Sequence, residues 1–236
     1  MKATIFSHEN IIGTTELVVG DTSMGHMYGT FIPNKFYFDN IQKHVWDFWK
    51  TSKPNYDKWY ALRLNVQLEN GYYLFPAGGY TIDDSLDLPN ESKRIDITGL
   101  NSHIFKDFFN ENPTDSFLVE PWETINIGQK LAYEDELSKE FGLTAVNKSL
   151  LRFIQPDKEK VSLISLNYSA LCKNGPNDDV LFSVNRPDLI KEKFVVVHLT
   201  WTGIHEANGF PRLRYYKTFD DFKRIRMIPD SKEWLD

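Results

Sequence analysis

The 236-residue chain carries 27 Lys and Arg against 33 Asp and Glu, a formal charge of −6, which argues against a protein that grips nucleic-acid backbones. Its hydrophobic share of 41% suits a globular core and its aromatic share of 14% is high. Charged or amide side chains interrupt every apolar run well short of the roughly 20 residues that cross a bilayer, so no membrane span is expected.

From the N-terminus, Ala3 to Phe6, Thr14 to Val19 and Met27 to Ile32 are β-branched or apolar clusters separated by glycines, which predicts three short strands. Phe38, Ile41, Val45, Phe48 and Trp49 recur at spacings of three and four, the pattern of an amphipathic helix ending near Thr51. Ala61 to Leu68 alternates as a half-buried strand. Asn70-Gly71 then turns the chain into Tyr72 to Phe75, giving a hairpin over 60–76.

Residues 83–91, with Asp83, Asp84, Asp87 and Glu91 and no cation, form an acidic loop interrupted by Pro89, and Ile95 to Ile97 is a short strand behind it. Asn101 is placed to cap a helix with Ile104, Phe105, Phe108 and Phe109 on one face. A weaker helical period runs from Trp122 to Phe141, with Leu131, Leu137 and Phe141 as core contacts. Asp115 to Asn147 carries seven acidic residues, including Glu134, Asp135 and Glu136, against Lys130 and Lys139.

Val161 to Asn167, Leu181 to Val184 and Phe194 to Trp201 are β-rich. Thr218 with Asp221 has the form of a capping box for a last helix bearing Phe219, Phe222 and Ile225 and ending near Ile228. Strands grouped in hairpins, with helices too irregularly interspersed for repeated βαβ units, predict an α+β fold of mainly antiparallel sheets packed against several helices. One domain over 1–236 is expected, with 142–160 as the place for any subdivision.

A single cysteine, Cys172, allows neither an intramolecular disulfide nor a cysteine-built zinc site. Met1 to Asn10 lacks the apolar core of a signal peptide, so a cytoplasmic location is expected.

Few residues suggest chemistry. Gly20 to Gly25 has the glycine spacing of a phosphate loop, but His26 and Met27 stand where lysine and a hydroxyl are needed, so a turn between strands is the better reading. No two of the six histidines have the spacing of a metal site, and neither a metal nor a cofactor is expected. His198 is the best candidate base. Alternation puts it on one strand face with Val196 and Thr200, and puts Val195, Val197, Leu199 and Trp201 on the core face; a hydrogen-bonded structural histidine is the competing reading. Cys172 reads as a passive core or loop thiol.

The stretch His198 to Gly203, then Phe210-Pro211, Tyr216 to Phe222, Met227, Asp230 and Trp234, resembles the tails of bacterial immunity-type proteins of polymorphic toxin systems. So does the 68–79 segment Leu-Glu-Asn-Gly-Tyr-Tyr-Leu-Phe-Pro-Ala-Gly-Gly. The resemblance implies a cytoplasmic binder that blocks a toxin domain, and an acidic surface suits a basic toxin such as a nuclease. Apart from that resemblance, rings anchor interfaces and carboxylates steer cations, so Asp83, Asp84, Asp87, Glu134, Asp135, Glu136 and Trp201 are the expected binding residues. Two alternatives stand beside this reading: a hydrolase using His198 as base, and a regulatory domain that forms a homodimer through a sheet edge or an aromatic patch.

Overall fold

The computed structural model describes residues 1–110, 116–141, 167–185, 192–204 and 211–235. The chain divides into two compact units, Met1–Phe117 and Leu118–Asp236. The stretch 142–160, given by the sequence as the place for any subdivision of a single domain, lies outside the described residues. Both units are antiparallel sheet with helices, so the fold is α+β, and no described helix is long and apolar enough to cross a membrane.

Period-two alternation builds the sheet of the first unit. Strands β1 (Lys2–Ser7), β2 (Asn10–Glu16), β3 (Val18–Val19), β4 (Met27–Pro33), β5 (Leu64–Leu68), β6 (Gly79–Asp83) and β7 (Lys93–Thr98) pair in the order β5-β1-β2-β4-β7-β6, with β3 on β4. Met27 and Phe31 of β4 and Ile95 and Ile97 of β7 are buried, while Tyr28, Thr30, Arg94 and Asp96 between them face outward. A register shift between Ile5 and Phe6 lets both of those neighbours bury their side chains.

Two expectations for this unit change. The Asn70-Gly71 turn is present, with Gly71 at φ 93° and Tyr72 N–H bonded to the Asn70 side chain. The returning arm, however, makes only a bridge at Tyr73, and Tyr72, Tyr73 and Leu74 are buried in succession. The next regular strand, β6, pairs with β7 and not with β5.

The first helix opens with a wide π turn, Tyr37–Ile41, before α1 (Gln42–Trp49). The extra residue in that turn shifts the helix phase: Tyr37, Ile41 and Val45 face the core, and Phe38 and Trp49 are exposed. A short α2 (Tyr56–Tyr60), capped by Asn55 on Lys58 N–H, follows without having been expected. In α3 (Ser102–Phe108), Asn101 holds the N-cap position, but its side chain makes no cap bond.

The second unit has five strands among its described residues: β8 (Trp122–Thr124), β9 (Asn167–Asn174), β10 (Asp179–Asn185), β11 (Phe194–His198) and β12 (Arg212–Tyr216), in the order β12-β11-β10-β9-β8. Val161 to Asn167 lies outside the described residues except for its last member, which opens β9. One face of this sheet carries α4 (Ile127–Glu140), where the Ser138 and Tyr168 hydroxyls meet at 2.5 Å. The other face carries α5 (Phe219–Phe222), a wide turn Lys223–Met227 and α6 (Ile228–Leu235). There Phe194 packs on Phe219 and Tyr216 on Phe222, each at 5.6 Å between ring centres. Covered on both faces, Val180 to Val184 and Phe194 to Val197 are continuously buried.

Thr218 caps α5 by accepting from Asp221 N–H at 3.1 Å, as its sequence position predicts. The helical path then runs past Ile228 to Leu235, with the wide turn immediately before Pro229 making room for a ring that would clash with an ordinary turn.

Candidate functional site

The acidic residues divide sharply by environment. Asp84 is buried, not on a loop surface, and four donors converge on it: Tyr37 hydroxyl at 2.6 Å, Gln42 Nε2 at 3.0 Å, Trp46 Nε1 at 3.1 Å and Lys93 Nζ at 3.1 Å. Burial pushes its carboxyl up, but those donors outweigh it and hold it below the usual carboxylate range. Burial and the same contact push the Tyr37 phenol far above its ordinary value. Asp84 therefore fastens α1 to the sheet. Asp87 is exposed on the loop after β6.

On α4 the expected acidic face also turns inward. Glu134 pairs with buried Lys130 and accepts from Ala170 N–H at 3.1 Å, while Glu136 is buried and accepts from Gly203 N–H at 2.9 Å. Glu140, which the sequence reading passed over, accepts from Thr200 N–H at 2.6 Å, Thr200 hydroxyl at 2.9 Å and Trp201 N–H at 3.1 Å. Those bonds hold Trp201 at φ +57° and leave it 45% exposed, edge-on to Tyr133 and bonded to Asp178, rather than on the core face. Of the three expected residues only Asp135 projects to solvent, paired with Lys139 at 2.8 Å.

Two places bring chemistry-bearing side chains together, one in each unit. In the first unit, Trp49, Thr81, Asp83 and Asp96 line an open groove of about 420 Å³. Asp96 is engaged by His26 at 2.9 Å and by Arg94 at 2.6 Å, and Arg94 also lies over the Tyr28 ring at 4.3 Å. Asp83 stands opposite Arg94 in the register and acts on its guanidinium through charge, but its carboxylate makes no direct hydrogen bond or ion pair among the described residues.

Beside this groove the rings of α1 and α2 form a rigid ridge. Phe48 contacts Trp49, Tyr56 and Trp59 at 5.3, 5.4 and 4.4 Å. The indole N–H groups of Trp49 and Trp59 bond the Ile82 and Tyr80 carbonyls of β6, the end strand of its sheet. Trp49, Tyr56 and Tyr60 are nevertheless 46%, 56% and 67% exposed. The helical spacing of these aromatics was legible in sequence, but their exposure follows from the phase shift at Tyr37–Ile41 and from α2.

In the second unit, His198 Nδ1 meets Asp179 Oδ1 at 2.9 Å, and the two residues are register partners on β11 and β10. Asp179 Oδ2 accepts from Arg226 at 2.7 Å, and Arg226 Nε lies 2.9 Å from Asp230 Oδ2. That oxygen also accepts from Trp122 Nε1 at 2.9 Å and Asn174 Nδ2 at 3.2 Å. A histidine oriented by a carboxylate is the arrangement of a general base. Here the carboxylate also neutralises an arginine, and His198 has no serine or cysteine bonded to it among the described residues. Cys172 is buried, and burial pushes its thiol well up, which makes it inert.

Nor does any group of three or more His, Cys, Asp or Glu among the described residues form a metal cage. The Gly20 to Gly25 loop is structural: Asp21 occupies the Ser23 and Met24 amides, and Gly25, at φ +61°, lies where a Cβ would come within 2.5 Å of Leu100 backbone. Comparison with protein-family models, with curated proteins and with solved structures finds no match.

Proposed function

We propose that the chain is a binding protein of the immunity type, which engages a basic protein partner through the ring ridge and groove of its first unit. The observation that carries this reading is the exposed Asp83 carboxylate, which makes no direct ion pair, lining a groove with Trp49, beside Tyr56 packed on Phe48 and Tyr60 packed on Tyr56. Rigid exposed rings give contact area at low entropic cost, and an exposed carboxylate beside them favours a lysine or arginine of the partner. The resemblance of the 198–234 tail and the 68–79 segment to immunity-type proteins supports a toxin domain as that partner.

Binding of any toxin domain encoded beside its gene, followed by calorimetry for wild type, Tyr60→Ala and Asp83→Asn, tests the reading. Loss of an anchoring ring is expected to weaken binding by about 5–30-fold. Variants that bind as tightly as wild type, or a toxin domain that does not bind, refute it.

The 2.9 Å contact of His198 with Asp179 favours a second reading, a hydrolase with His198 as base. A hydrolytic activity that His198→Ala leaves unchanged removes that role.

A further inference from the structure

We propose that an open cleft in the second unit binds the carboxy-terminal end of a peptide chain. The cleft, of about 430 Å³, lies where α6 and the wide turn before it cross the sheet end that carries Asn174 and Arg214. Its volume falls within the range of small-ligand sites.

The floor supplies an unmet acceptor. Asn174 is 3% exposed, and donation from its Nδ2 to Asp230 fixes the amide so that Oδ1 is the free end. Oδ1 is buried and has no hydrogen-bond partner. A buried acceptor in that state calls for an N–H donor, which a peptide amide provides.

The rim supplies an unmet cation. Arg226 is neutralised by Asp179 and Asp230, whereas the Arg214 guanidinium, exposed on β12 and 5.9 Å from the centre of the Tyr216 ring, makes no hydrogen bond or ion pair among the described residues. A guanidinium is suited to a carboxylate because its planar fork grips both oxygens. The walls mix apolar groups, Trp234, which is 54% exposed, Ile225, Pro121, Pro176 and Pro229, with polar Asn177 and the carboxylate of Glu233. The apolar groups suit the side chain of the last residue. An amide N–H, a carboxylate and an apolar side chain, in adjacent positions, are what a peptide presents at its carboxy terminus.

This inference is independent of the role proposed for the first unit, since the two sites share no residue. Calorimetric titration of the full chain with acetyl-Gly-Leu and with the same dipeptide as its carboxy-terminal amide tests it. The free acid is expected to bind about tenfold or more tighter than the amide, the worth of one charge-assisted bond. Arg214→Ala is expected to abolish that preference, Trp234→Ala to weaken both ligands, and Asn174→Leu to weaken both while leaving the acid preference in place. Should Asn174→Leu fail to fold by circular dichroism, the exposed Arg214 variant still decides the matter. Equal binding of acid and amide, an acid preference that survives Arg214→Ala, or no binding of the acid at about 1 mM overturns the inference.

Discussion

Replacing Asp84 by Ala removes the carboxylate on which Tyr37, Gln42, Trp46 and Lys93 converge and leaves the Lys93 ammonium, 7% exposed at its side chain, without its counter-charge. Breaking a buried ion pair from one side costs about 3–5 kcal/mol, because the remaining charge stays desolvated. For a unit of this size that is a fall in melting temperature of roughly 10–20 °C. Urea unfolding followed by tryptophan fluorescence reads it, with Trp46 among the reporters. Removing both charges with Asp84→Ala/Lys93→Met is expected to regain at least about half of the loss, since paired apolar replacements are often close to neutral. The pH dependence carries the same signature. The folded Asp84 carboxyl titrates below its unfolded value, so its contribution is present above the unfolded value, near pH 4, and is lost as pH falls through the folded value. Acid destabilisation should therefore be shallower in the double variant than in wild type. A cost below about 1 kcal/mol for Asp84→Ala, or a double variant no better than the single, refutes the anchoring role.

Glu140→Ala strips the acceptor from three donors at Thr200 and Trp201 and should cost about 2–4 kcal/mol in urea, with faster amide exchange at both residues; unchanged exchange contradicts it. Arg226→Ala removes the guanidinium that Asp179 and Asp230 share. The variant is expected to lose about 1–3 kcal/mol in urea unfolding, and an unchanged unfolding midpoint argues against the network. Cys172 should resist thiol reagents at about pH 8 in the native protein and react fully in urea; rapid native labelling would show that burial is not protecting it.

The buried pair in the first unit was more legible in sequence than it looked. Asp84 is in phase with buried Ile82, and Lys93 with buried Ile95 and Ile97, so alternation alone sends both charges inward, where Asp83 and Arg94 sit opposite each other one step away. Reading 83–91 as one acidic loop hid that phase. On α4, Lys130, Tyr133, Leu137 and Glu140 fall at spacings of three and four and make the buried stripe. Charged members disguise it, because a sequence reading sends lysine and glutamate to solvent. The turn at Asn70-Gly71 and the Thr218 cap were visible because each depends on residues within four positions. By contrast, the links from His198 to Asp179 and from Asp179 to Arg226 span 19 and 47 positions and exist only through strand register and the wide turn before Pro229. Exposure of Trp49 likewise follows from one extra residue in the turn before α1, which no periodicity count reveals.

The binding role proposed for the first unit is tested most directly by the affinity of wild type, Tyr60→Ala and Asp83→Asn for any toxin domain encoded beside the gene, at low and at physiological ionic strength. Tyr60→Ala should weaken binding by about 5–30-fold at both salts, whereas the penalty of Asp83→Asn should shrink as salt screens the charge. Binding that is absent, or that neither substitution alters at either salt, contradicts the proposed role.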